Sequence, residues 1–193
     1  MTNNTAIPSE LLSHVPPPLQ SLVENFWSDW CLSCEKKSIN PQQGISLAVL
    51  GQTWACSDFV ARNCIRYPEM FYKLHAEGFE STRSLEDYSN MVSQVIAGSN
   101  DDAHLMKLLR ELRQQEMVRI AWRDLNKLAD VETILQELTD FAEVVVAVTL
   151  RHLEKQQAEV FGMPLDENGE EQSLMVFAMG KMGGGELNFS SDI

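Results

Sequence analysis

Positive charge is scarce in this chain. Of 193 residues, 15 are lysine or arginine and 28 are aspartate or glutamate, a formal charge of −13. A polypeptide this acidic repels phosphodiester backbones, which argues against general binding to DNA or RNA. A nucleotide stays open, because a small anion needs only a local set of donors. Long apolar runs are missing too. The most apolar stretch, residues 144–150, is closed by Glu143 and Arg151 and is far too short to span a bilayer. Residues 1–10 lack the basic start and apolar stretch of a secretory signal. The expectation is a soluble, cytoplasmic protein with no membrane partner.

Histidine and cysteine, the nitrogen and sulfur metal ligands, are few. The histidines, His14, His75, His104 and His152, are scattered and form no cluster in sequence. Cys31 and Cys34 make a C-x-x-C that could be redox-active or half of a zinc site. The pair sits inside a helical apolar pattern, with no second C-x-x-C and no His-x-x-x-His. With Cys56 and Cys64, these cysteines read as packing thiols. Internal repeats and low-complexity tracts are absent as well.

What is present is a hydrophobic content of 44%, enough for a core. Its spacing is helical. After Pro16, Pro17 and Pro18, the residues Leu19, Leu22, Val23, Phe26 and Trp30 recur at three- and four-residue steps, until Asn40 and Pro41 break the pattern. Leu47, Leu50 and Trp54 begin a second helix. Asp58 is placed to cap a third running over 59–66, and Pro68 suits the first turn of a fourth that Gly78 closes. Ser84 and Asp87 resemble a capping box before Tyr88, Met91, Val92, Val95 and Ile96. A helix from Asp101 or Asp102 to about Leu128 carries a stripe of Leu105, Leu109, Leu112, Ile120 and Leu128. Asp130 then starts a long helix with Ile134, Leu138, Phe141, Val145 and Val148 on one side. The four tryptophans, at helical positions, read as core rather than as a stacking platform. Arg113, Glu116, Arg119 and Arg123, three or four apart, read as ion pairs along one helix face, with contact to nucleotide or a client protein as the alternative.

The character changes at Phe161 and Gly162. Residues 164–171 form a polar linker with the turn pair Asn168-Gly169, and 173–179 is a short apolar run suited to a buried strand. Gly180-Lys181-Met182-Gly183-Gly184-Gly185 follows. Glycines after a strand let backbone N–H groups approach an anion, and Lys181 adds local positive charge; a plain tight connection is the alternative. Met182, where a P-loop needs serine or threonine, argues against that motif. Asp192 could be the first of two carboxylates two positions apart on one strand face, the arrangement that magnesium favours.

The stretch Met179-Gly180-Lys181-Met182-Gly183-Gly184-Gly185-Glu186-Leu187-Asn188-Phe189-Ser190-Ser191-Asp192-Ile193 resembles the signature of glutamine synthetase adenylyltransferase, also called adenylyl-removing enzyme. It also resembles the wider DNA polymerase β-like nucleotidyltransferase pattern, in which a glycine corner precedes acidic-hydrophobic-acidic. Lys181 stands where the wider family has glycine or serine. Residues 109–125, with Glu116-Met117-Val118-Arg119-Ile120-Ala121 and Arg123-Asp124, are similar to the narrower family's segment upstream of that motif. Residues 57–70 give a weaker third match.

The resemblance implies a mainly α chain: a helical region over 1–160, then, over 161–193, a linker and the first part of an α/β nucleotidyltransferase domain. It implies a bifunctional, nitrogen-regulating enzyme that adds AMP to, or removes it from, a tyrosine of glutamine synthetase. Family members take Mg2+ with ATP, or with phosphate and ADP, and a PII signalling protein modulates them; the N-terminal half is linked to removal by phosphorolysis. Asp192 would then be catalytic and a metal ligand, with Gly180, Lys181, Gly183, Gly184 and Ser191 holding phosphate. With one carboxylate of the pair, the 193-residue piece is expected to be inactive by itself. The rival reading is a non-enzymatic acidic helical interaction module with a glycine-rich tail.

Overall fold

Helices dominate the computed structural model, which describes residues 6–191. A 3-10 turn, Ser9–Leu12, precedes α1 (Pro17–Lys36), whose first turn takes Pro17 and Pro18 where a missing N–H costs nothing. Then come α2 (Leu47–Cys56), α3 (Asp58–Arg66), α4 (Pro68–Glu77), α5 (Leu85–Ala97), α6 (Asp102–Leu125), α7 (Val131–Phe161) and the single turn α8 (Gly180–Gly183). The mainly α reading holds. No described helix is long and apolar enough to cross a membrane.

The caps refine the sequence reading. α3 is capped by Ser57, whose hydroxyl accepts from the Val60 N–H, and not by Asp58. Asp58 stands one residue inside the helix and accepts from Arg62 Nε at 2.6 Å, so the Ser57 oxygen alone is left to reach back to the first turn. The capping box of Ser84 and Asp87 is formed in both directions. The Ser84 N–H and then the Ser84 hydroxyl, both donating to it, hold the Asp87 carboxyl below the usual carboxylate range. Asp101 caps α6 by accepting from the His104 N–H at 2.7 Å. That helix stops at Leu125: Lys127 turns to φ 56° and the Leu128 N–H folds back to Arg123 O. Leu128 therefore falls outside the helix and is partly exposed instead of joining the stripe.

The chain divides into two units, and α6 contributes to both. The first runs up to Ser81 and takes Val118–Asp130. Its core is aromatic. Trp27, Trp30, Trp54 and Trp122 are all buried, in line with a packing role. Trp30 meets Trp54 and Phe71 edge-on at 5.9 and 5.7 Å, and Phe79 stacks on Trp122 at 4.8 Å. Such pairs contribute about 0.5–1.5 kcal/mol each beyond their burial. α2 lies so close to the 3-10 turn that a Cβ on Gly51 would sit 1.8 Å from Leu11 O, so only glycine fits there.

The second unit takes Thr82–Met117 and the chain from Val131 onward. α5 packs along α7, with Tyr88, Val92, Leu112 and Phe141 at the centre. Beyond α7, Asp166 organises a turn: its Oδ1 accepts from the N–H groups of Asn168 and Glu170, and Leu165 pairs with Glu171 across it. The apolar run at 173–179 differs from its expected form. It makes no strand, and Leu174, Met175, Val176, Phe177 and Met179 are exposed. A strand needs a neighbour to take its N–H and C=O groups, and the described chain offers this segment none beyond a bond from the Leu174 N–H to Glu154 Oε1 at 2.5 Å.

Candidate functional site

The glycine segment folds into one tight turn. Gly180 and Gly185 adopt φ of +63° and +70°, the left-handed region that costs a side chain energy. Between them the Gly184 N–H donates to Gly180 O, the Gly185 N–H to Met182 O and the Glu186 N–H to Lys181 O, the last at 2.8 Å. Gly183 is closed in by the preceding segment: a Cβ there would lie 2.4 Å from Ala178 O. Gly184 is freer, with 3.5 Å to the nearest atom. Lys181 is exposed on the same turn. Four of the expected phosphate-holding residues, Gly180, Lys181, Gly183 and Gly184, are thus gathered into one exposed loop.

Ser191 sits in a second, separate turn. Its hydroxyl donates to Asn188 Oδ1 at 3.0 Å and its N–H to Asn188 O at 3.0 Å, while the Ser190 hydroxyl reaches the same Oδ1. Its side chain therefore shapes the loop ahead of the acidic motif. Asp192, expected to be catalytic and a metal ligand, lies outside the described residues. Among the described residues, no three histidine, cysteine, aspartate or glutamate side chains come together as a metal site.

Two residues that sequence reasoning passed over tie this segment down. Leu187, between the two turns, is the only buried residue among those described beyond α7. Its N–H donates to the hydroxyl of Thr139, a buried residue on α7, at 3.2 Å. A lone leucine between Glu186 and Asn188 was the available signal; nothing in the sequence paired it with Thr139.

The arginines of α6 resolve in favour of structure. Glu116 is fully buried and pairs with Arg83. Arg119 donates to Ser81 O at 3.2 Å, and Arg123 donates to Phe79 O at 2.6 Å. The guanidinium groups of Arg119 and Arg123 are buried and occupied with loop carbonyls, so neither faces a nucleotide. Arg113 is exposed; with Arg110 it borders an apolar hollow of about 440 Å3 lined chiefly by α7 residues and Val176. The cysteines are all free thiols. Burial pushes Cys31 up and Cys34 and Cys64 to about 12, which disfavours the free thiolate that thiol–disulfide exchange needs.

Comparison with known proteins gives this geometry a family. Residues 47–193 match the family model described as glutamate-ammonia ligase adenylyltransferase. A bifunctional glutamine synthetase adenylyltransferase/adenylyl-removing enzyme of Thioalkalivibrio sulfidiphilus is 37% identical over 98% of this chain and 20% of its own length. Proteins of the same name from Shewanella loihica and Nitrosococcus oceani are 34% and 35% identical, over 97% and 93% of this chain and 19% of their own lengths. The chain spans about a fifth of the length of these curated relatives. The match runs through both α6 and the glycine turn, and the chain belongs to the glutamate-ammonia ligase adenylyltransferase family.

Proposed function

We propose that this chain supplies the phosphate-holding side of a nucleotidyltransferase site acting on glutamine synthetase, in the direction that removes AMP from a tyrosine. The supporting observation is the turn at 180–185, whose two left-handed glycines and tightly enclosed Gly183 bring backbone beside an exposed lysine. A phosphate oxygen can come close to such a backbone because no side chain intervenes. In the reaction, inorganic phosphate attacks the phosphorus of the AMP group. The bond to the tyrosine oxygen breaks, that oxygen regains a proton, and ADP leaves. Lys181 would offset phosphate charge, and the turn would fix its orientation, so that positioning and charge do most of the work.

Magnesium, when bound, would screen the phosphate charges further, with Asp192 as one of its ligands. On this reading the protein works in the cytoplasm with a PII signalling protein as regulator, and ATP serves the opposite, adenylylating direction. Membrane and nucleic acid have no part in it.

The test is phosphate-dependent release of ADP from adenylylated glutamine synthetase by the full-length gene product. Gly183→Ala should lower turnover by about tenfold or more, because its Cβ must displace the Ala178 carbonyl, a cost of about 1–3 kcal/mol. Gly184→Ala should stay within about twofold. The 193-residue chain alone should be silent, because one carboxylate is a poor hold on magnesium. Equal behaviour of the two alanine variants, or an inert full-length protein, would sink the reading.

A further inference from the structure

We infer that Thr139, on α7, is a positioning residue for the glycine turn, which it holds through the backbone of Leu187. The inference rests on the phosphate-holding reading of that turn and adds the part of the fold that aims it. The turn at 180–185 is exposed and has no buried side chain of its own. Its bonds close locally, from Gly184, Gly185 and Glu186 back to Gly180, Met182 and Lys181, so they set its shape but not its place. Place comes from outside. Leu187 is buried to 2% exposure, and its N–H meets Thr139 Oγ1. Thr139 is itself 1% exposed, and its hydroxyl donates to Leu135 O at 2.9 Å. One hydrogen and two lone pairs allow both bonds at once: the proton goes to Leu135, and an oxygen lone pair receives the Leu187 N–H.

The coupling to the turn is short. Leu187 directly follows Glu186, whose N–H closes the turn on Lys181 O at 2.8 Å. On the other side Asn188 gathers Ser190 and Ser191 into the second turn. Both turns hang from one peg in α7. If the peg loosens, Lys181 and the glycine backbone keep their local shape and lose their address, so phosphate should be held less well.

Two substitutions separate this role from mere packing. Thr139→Val keeps the shape of the side chain and removes the acceptor, leaving the Leu187 N–H buried without a partner. Thr139→Ser keeps the oxygen. Amide exchange at Leu187, followed on the 193-residue chain, should accelerate about tenfold or more in Thr139→Val and stay near wild type in Thr139→Ser. In the full-length gene product, the KM for inorganic phosphate in ADP release should rise about tenfold in Thr139→Val, with kcat little changed and Thr139→Ser restoring the wild-type value. Unchanged Leu187 exchange in Thr139→Val would overturn the inference whatever the activity. So would faster exchange with an unaltered KM. A wild type that releases no ADP would bring down the functional reading and the positioning role together; an active wild type indifferent to Thr139→Val would bring down the positioning role alone.

Discussion

Cys64 lies wholly inside the first unit, and the loss of solvent pushes its thiol up to about 12, only partly offset by the Trp54 indole beside it. Cys34 is raised to the same level by burial and by its neighbour Cys31. The unfolded thiol titrates near 9.0. Between pH 9 and 12 the unfolded chain therefore gives up protons that the folded chain keeps, so stability is complete below pH 9 and falls as pH rises. Each such thiol contributes a slope of up to about 1.4 kcal/mol per pH unit. Urea unfolding at pH 8 and pH 10.5 should show Cys64→Ala losing less stability over that interval than wild type, whatever its starting value. Equal slopes would contradict the assignment. The packing role of Cys34 was legible from the helical pattern around it, and Cys64 is buried likewise, but Cys56 departs from that reading and is exposed. The identity of the α3 cap was not, since Ser57 and Asp58 are adjacent, both can cap, and only three dimensions show which oxygen reaches Val60.

At the scale of elements, α6 illustrates what periodicity can and cannot carry. Its existence and its buried leucines follow from three- and four-residue spacing. Three- and four-residue spacing also puts Arg113, Glu116, Arg119 and Arg123 on one face, but it does not show that Glu116, Arg119 and Arg123 also reach partners 33, 38 and 44 residues away in sequence. Helical spacing holds no information about a loop so distant. The Glu116 carboxylate is fully buried and pairs with the half-buried Arg83, so its removal takes a charged partner away from that arginine. Glu116→Ala should cost about 3–5 kcal/mol in urea unfolding, and Glu116→Gln less, because the amide can still accept. A loss under about 1 kcal/mol for the alanine variant would mean that the pair is solvated and weak. The run at 173–179 failed as a strand for the complementary reason. Its side chains suit a sheet, but pairing is a property of two segments, and one segment's residues cannot declare the other.

For the molecule as a whole, charge was the most legible quantity and the division into units the least. Two cores that share α6, with 118–130 returning to the company of residues before Ser81, leave no composition shift at a boundary. The excess of negative charge, by contrast, is written in the count of residues. The surface ion pairs, such as Lys37 with Glu69 and Lys107 with Glu111, are exposed and contribute little. Self-repulsion of a chain carrying −13 should outweigh them. Raising the salt from about 10 mM to about 0.2 M shortens the screening length from roughly 30 Å to under 10 Å. It should therefore raise the melting temperature by a few degrees, read by far-ultraviolet circular dichroism. A fall would mean that the ion pairs matter more than the net charge.

The placement of Trp27, Trp30, Trp54 and Trp122 has a practical consequence. Every indole in the chain lies in one of the two cores, so tryptophan fluorescence, excited at wavelengths that tyrosine does not absorb, reports on that core and not on the one that carries Thr139, Leu187 and the glycine turn. A reassuringly steady emission spectrum could accompany a variant whose glycine turn has already come adrift.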